Sequence, residues 1–131
     1  MRKIKFRAWD EESKIMFDIA RFDLADYTVY PHLFASGFIG ERLKIMQYTG
    51  VDDVKGTPIY EGDILKMGIT MSYYRRGIVE FENGYFTFTE MWQKGLLIEC
   101  EEKPDPLNYY YEPEVLGNRY ENPEMLKEVK E

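Results

Sequence analysis

One chain of 131 residues carries enough material for a single domain with a real core. It is 44% hydrophobic and 31% charged, a globular rather than a disordered composition. The net charge of −7 falls entirely on the second half: residues 1–60 hold 9 basic and 9 acidic side chains, residues 61–131 hold 8 and 15. That sign argues against a general nucleic-acid binder. Cys100 is the sole cysteine, so an intrachain disulfide is excluded and a reducing compartment is expected. No apolar run reaches membrane-spanning length, and Met1-Arg2-Lys3-Ile4-Lys5 leads into an alternating segment rather than a signal peptide. The expectation is a cytoplasmic protein with no membrane role.

Residues 2–9 alternate, with Ile4, Phe6 and Ala8 on one face, Lys3, Lys5 and Arg7 on the other, and Trp9 at the end. This predicts a half-buried strand, followed by a polar turn at 10–14 and a returning strand over 15–19. The basic stripe reads as the solvated side of the strand. Residues 20–40 show no usable period. His32, the only histidine, has no second histidine or cysteine cluster with which to build a metal site or a triad. Residues 43–48 alternate again. The loop 51–57 has turn composition, and Asp52 and Asp53 lack the spacing of an EF-hand, which leaves turn capping as their expected role. Residues 58–67 predict a turn entering a strand.

The stretch Ile78 to Thr89 is the clearest structural signal. Asn83-Gly84 between two β-prone runs predicts a type I′ turn, because both residues tolerate positive φ. A two-residue turn pairs Glu82 with Tyr85, Phe81 with Phe86, Glu80 with Thr87 and Val79 with Phe88. It places Val79, Phe81, Phe86 and Phe88 on the buried side. Residues 68–77 read as a loop before this hairpin, and 96–100 as a further strand. Residues 101–113, with three prolines and three tyrosines, read as an irregular connection, and 115–120 as a last strand. Asn122-Pro123-Glu124 has the composition of a helix start, predicting a short C-terminal helix through Lys130.

Four blocks, taken in order, carry a resemblance: Ile4 to Asp10, Met46 to Gly50, Ile59 to Ile64, and Glu114 to Leu126. Together they resemble the YopX family of small bacteriophage and prophage proteins across nearly the whole chain. Tyr48 stands where family members often have Phe, and Arg119 where an apolar residue is common. Residues 20–40 and 68–76 match no block. The resemblance implies a phage or prophage origin and an SH3-like β-barrel in the C-terminal two thirds. It brings no activity and no catalytic residues. The expected fold is mainly β: an N-terminal β-hairpin and variable segment over 1–40, an SH3-like barrel or roll over 41–131, and a short C-terminal helix, in one domain spanning 1–131.

No glycine-rich phosphate loop, nucleophile elbow or Cys/His metal spacing is present, so no cofactor, metal or catalytic residue is assigned and the protein is not expected to be an enzyme. Carboxylate pairs such as Glu61/Asp63 arise readily among 24 acids. Cys100 lies beside acids, which raise a thiol pKa, and is expected to be inert. The binding candidates are Tyr73, Tyr74, Arg75 and Arg76, where rings next to guanidinium groups suit single-stranded nucleic acid. The competing reading packs the tyrosines and pairs the arginines with surface acids. Trp92 and Tyr109-Tyr110-Tyr111 form a candidate aromatic surface for protein partners. The function expected first is a non-enzymatic protein-interaction or self-assembling module, a homo-oligomer or a binder of a host or phage protein. A nucleic-acid-binding module built on Tyr73–Arg76 is the alternative.

Overall fold

The computed structural model describes residues 3–31, 37–70, 73–93, 96–98 and 111–126, with the backbone alone for 67–70, 73–75, 90–93, 96–98 and 111–112. His32, Cys100, Tyr109 and Tyr110 lie outside the described residues, as do 127–131. The fold is mainly β. Its strands are β1 (Phe6–Asp10), β2 (Ile15–Asp23), β3 (Thr28–Pro31), β4 (Phe38–Ile39), β5 (Leu43–Asp52), β6 (Pro58–Tyr60), β7 (Asp63–Thr70), β8 (Tyr73–Glu82), β9 (Tyr85–Gln93), β10 (Leu96–Ile98) and β11 (Tyr111–Asn118). Two compact units divide the chain, Met1–Tyr48 and Thr49–Glu131, with the boundary inside β5.

In the first unit the strand order is β4-β3-β2-β1-β5, and the described pairings between neighbours are antiparallel. Of the alternating residues 2–9, Phe6 to Trp9 lie in β1, but the burial differs from expectation. Ala8 is fully buried, whereas Phe6 is 38% and Ile4 67% exposed. Trp9 and Met46 are buried on the opposite face, so both sides of the strand's end are covered. The core gathers Ala8, Val29 and Leu43, with Phe17, Ile19 and Phe38 against them. Phe17 and Phe38 stack with ring centroids 4.8 Å apart. Residues 20–40, which have no period, supply β3 and β4. These strands are short, and the β2–β3 register shifts between Ile19 and Arg21, which erases a clean alternation.

The second unit is built on a five-stranded antiparallel sheet of order β10-β9-β8-β7-β11. The hairpin at Asn83-Gly84 has the expected register, Glu82↔Tyr85, Phe81↔Phe86, Glu80↔Thr87 and Val79↔Phe88. Asn83 (φ 53°) and Gly84 (φ 83°) occupy the left-handed region that a type I′ turn requires. Ile59, Leu65, Val79 and Phe88 are fully buried and form the core, with Val51, Phe86 and Val115 packed on its margin.

Three expectations change. Residues 68–70 and 73–77, expected in a loop, belong to strands: β7 runs to Thr70 and β8 begins at Tyr73, with Thr70 paired to Tyr73, so Gly68 and Gly77 lie inside strands. The last strand begins at Tyr111 rather than Val115 and includes Pro113, which an edge strand tolerates. At the C-terminal end of the described chain, Pro123–Leu126 is a 3-10 turn in which Met125 N–H donates to Asn122 O at 3.0 Å. The capping oxygen of Asn122 reaches backwards instead, accepting Asn118 N–H at 3.2 Å. Residues 127–130, over which the expected helix would continue, are outside the description.

Candidate functional site

The candidate residues Tyr73, Tyr74, Arg75 and Arg76 form the start of β8. They pair across β7 as Thr70↔Tyr73, Gly68↔Tyr74, Met67↔Arg75 and Lys66↔Arg76. They are consecutive positions of one strand, and the side chains of Tyr73, Tyr74 and Arg75 are outside the description. Arg76 is half-buried beside Lys66, and Lys66 has Glu114 opposite it on β11. Trp92 lies on β9, a strand between β8 and β10, and its side chain is outside the description.

A different surface emerges at the far end of the same hairpin. Val79 and Phe88 are buried, Phe86 is half-buried, and Phe81 is 44% exposed, although all four share one face. The apolar row therefore runs from the core out into solvent. Phe81 and Phe86 rings lie 4.7 Å apart and tilted by 53°. Tyr85, 57% exposed, adds a third ring at the tip from the opposite face. Alternation alone assigned Phe81 to the buried side. Distance from the turn does not separate it from Phe86, which stands opposite and is half-buried; the difference lies in what packs on each ring.

The blocks that carry the family resemblance have their polar groups spent on turns. Asp10 is fully buried and accepts Ser13 Oγ at 2.6 Å, Arg42 Nη2 at 3.1 Å and Arg42 Nε at 3.3 Å. The Ser13 hydroxyl, then the Arg42 guanidinium, hold its carboxyl below the ordinary range against the opposing effect of burial. Thr49 Oγ1 accepts Val51 N–H at 3.1 Å. Asp63, buried, accepts Tyr60 N–H at 2.8 Å and so closes the turn that enters β7. Asn118 Oδ1 takes the N–H groups of Tyr120 at 2.9 Å and Glu121 at 2.8 Å.

Asp53 shows the same logic over a longer range. One carboxylate oxygen accepts Lys55 N–H and Thr57 N–H, each at 2.8 Å, and the other accepts Val115 N–H at 3.0 Å. Burial pushes its pKa up, but these three backbone donors outweigh it and set the carboxyl below its ordinary value. Capping was the role expected of this loop, and Asp53 performs it. Among the described residues no group of three or more His, Cys, Asp or Glu side chains is arranged to hold a metal ion. No described helix is long and apolar enough to cross a membrane.

No curated protein matches the chain. Among solved structures, protein EF1440 from Enterococcus faecalis is similar at 24% identity and a TM-score of 0.66, covering 97% of this chain and 100% of its own. The protein yopX from Bacillus subtilis is similar at 22% identity and a TM-score of 0.56, covering 99% of this chain and 100% of its own. These likenesses establish a shared fold. The family profile described as YopX protein matches residues 5–127, almost the entire sequence. With strands and turns now placed in all four signature blocks, the chain belongs to the YopX family.

Proposed function

We propose that this is a non-enzymatic accessory protein of phage or prophage origin, acting in the host cytoplasm, that associates with copies of itself through the tip of the β8–β9 hairpin. The observation that carries the reading is the apolar row that leaves the core at Phe86 and reaches solvent at Phe81. Glu80 and Glu82 alternate onto the other face, so two tips can meet ring to ring without opposing carboxylates. Aromatic side chains bury large area with little rotamer entropy, which suits them to such a contact. The reading takes the second unit as an SH3-like barrel, supported by its antiparallel five-stranded sheet and by the return of β11 onto β7. Sedimentation velocity over a concentration series is the test. The wild type associates and Phe81→Ser sediments as a monomer; a wild type that is monomeric throughout overturns the proposal.

A second reading, nucleic-acid binding, draws on Lys66 and Arg76, two cations side by side on neighbouring strands. Such a cross-strand pair is unfavourable unless an anion offsets it. Glu114 already lies beside Lys66, and the chain's net charge opposes a polyanion, so this reading ranks second. Fluorescence anisotropy with labelled single-stranded DNA and RNA decides it. Salt-sensitive binding lost in Arg75→Ala/Arg76→Ala supports this role, and no binding at low salt removes it.

A further inference from the structure

The connection between β2 and β3 in the first unit carries a second apolar surface, unrelated to the hairpin tip. Phe22 is 39% exposed, Leu24 73% and Tyr27 55%. The rings of Phe22 and Tyr27 lie 6.2 Å apart, tilted by 51°. Several bonds fix the turn that presents them. Asp23 Oδ1 accepts Ala25 N–H at 3.0 Å, and Asp26 Oδ1 accepts Thr28 N–H at 3.1 Å. Tyr27 O accepts Gly40 N–H at 2.7 Å, and a Cβ at position 40 would stand 2.7 Å from that same oxygen. Beyond the turn, Val29 is fully buried in the core of the unit.

Tyr27 adopts φ 59°, a left-handed conformation that is unfavourable for a bulky aromatic residue. Strain of this kind persists only where the surroundings impose it, and it gathers at sites of function. Here it holds an aromatic ring in solvent. A surface that is already fixed loses little freedom when it is bound, which is what an anchoring contact needs.

Charge decides what fits against it. From Phe22 to Tyr27 there are two carboxylates, Asp23 and Asp26; Arg21, which precedes Phe22 on β2, lies over the Tyr30 ring, 4.0 Å from its centroid. Nucleic acid would be repelled. Two copies meeting knob to knob would gather four carboxylates around one apolar contact, unlike the charge-free ring face at Phe81. We propose that the Phe22–Tyr27 turn is a docking knob for a different protein, one whose apolar pocket is rimmed by Lys or Arg side chains. This interaction is independent of self-association through the hairpin tip.

Full-length 15N-labelled protein titrated with two synthetic amphipathic peptides tests the proposal. The peptides share one leucine pattern, with Lys at every polar position of the first and Glu at every polar position of the second. The Lys/Leu peptide shifts the amides of residues 22–27, and the Glu/Leu peptide leaves them unmoved. Leu24→Ser weakens binding roughly tenfold, the scale of an interface anchor. Asp26→Asn, which keeps an acceptor for Thr28 N–H and removes only the charge, weakens it by a smaller factor. Val54→Ser, at a residue 55% exposed in the second unit, leaves the affinity unchanged. Equal binding of the Lys/Leu peptide to Leu24→Ser, or shifts spread over the acidic second unit, overturns the docking knob. Concentration-dependent sedimentation that survives Leu24→Ser and disappears in Phe81→Ser leaves the hairpin-tip reading standing whichever way the titration falls.

Discussion

Asp53 accepts the backbone N–H of Val115 at 3.0 Å, across 62 residues of chain. The loop before β6 thereby fastens β11, the edge strand that follows the longest undescribed stretch of the second unit. Val54 N–H adds a bond to Pro113 O at 2.9 Å, and Lys55 Nζ pairs with Glu114 at 3.0 Å. The Lys55 pair is exposed on the lysine side and contributes little. The buried carboxylate is the dominant fastener.

Asp53→Ala leaves three backbone N–H groups without their acceptor. The bonds are part-buried and reach an ionised acceptor, so the expected loss is about 2 kcal/mol in urea unfolding. Lys55→Ala, by contrast, is expected to cost under about 1 kcal/mol. Equal losses for the two variants would contradict this ranking.

Stability is expected to fall in acid, because Asp10 and Asp53 both hold carboxyl pKa values below the ordinary 3.8. A lowered native pKa means the unfolded chain binds protons first as pH drops. The stabilisation is therefore complete above the ordinary carboxylate value and is lost as pH falls through the lower native one. In Asp53→Asn this share of the pH dependence disappears, which unfolding midpoints measured from pH 6 down to pH 3 would reveal as a shallower slope. An unchanged slope would contradict the assignment.

Phe88 and Phe81 occupy one face of one hairpin but differ in burial, 0% against 44% exposed. Phe88→Ala is expected to cost about 4 kcal/mol, the transfer term plus a cavity. Phe81→Ala, measured at a concentration where the protein is monomeric, is expected to cost under about 1 kcal/mol. Similar costs would place Phe81 in the core and remove the basis of the hairpin-tip proposal.

Gly84 sits at φ 83° with open space around it, so a methyl group there meets no neighbour and the backbone alone resists it. Gly84→Ala is expected to destabilise by about 1 kcal/mol, and Asn83→Gly to stay within about 0.5 kcal/mol of wild type. Urea unfolding of the two variants checks the turn type directly.

The β8–β9 hairpin was legible because two local signals coincide there, turn chemistry at Asn83-Gly84 and a period of two on both sides. Each fixes the register without help from the rest of the chain. Residues 68–77 misled because Gly68 and Gly77 resemble loop punctuation, whereas both lie within paired strands and the β-prone Ile69, Thr70, Tyr73 and Tyr74 set the conformation. At Asn122 the composition of a helix start does not show the local bond that forms: its side-chain oxygen accepts Asn118 N–H, four residues behind it in sequence. At the candidate site, Tyr73 to Arg76 open a strand paired with β7, a pairing that a string of adjacent residues cannot show. The exposed ring of Phe81 and the knob at Phe22–Tyr27 depend on where neighbouring elements end. That information is absent from local periodicity.

Backbone amide shifts followed on serial dilution report both the association of the chains and its location. Association through the hairpin tip gives concentration-dependent shifts confined to residues around Glu80 to Thr87, abolished by Phe81→Ser. Shifts that do not change with dilution, or that change elsewhere and persist in Phe81→Ser, would contradict it.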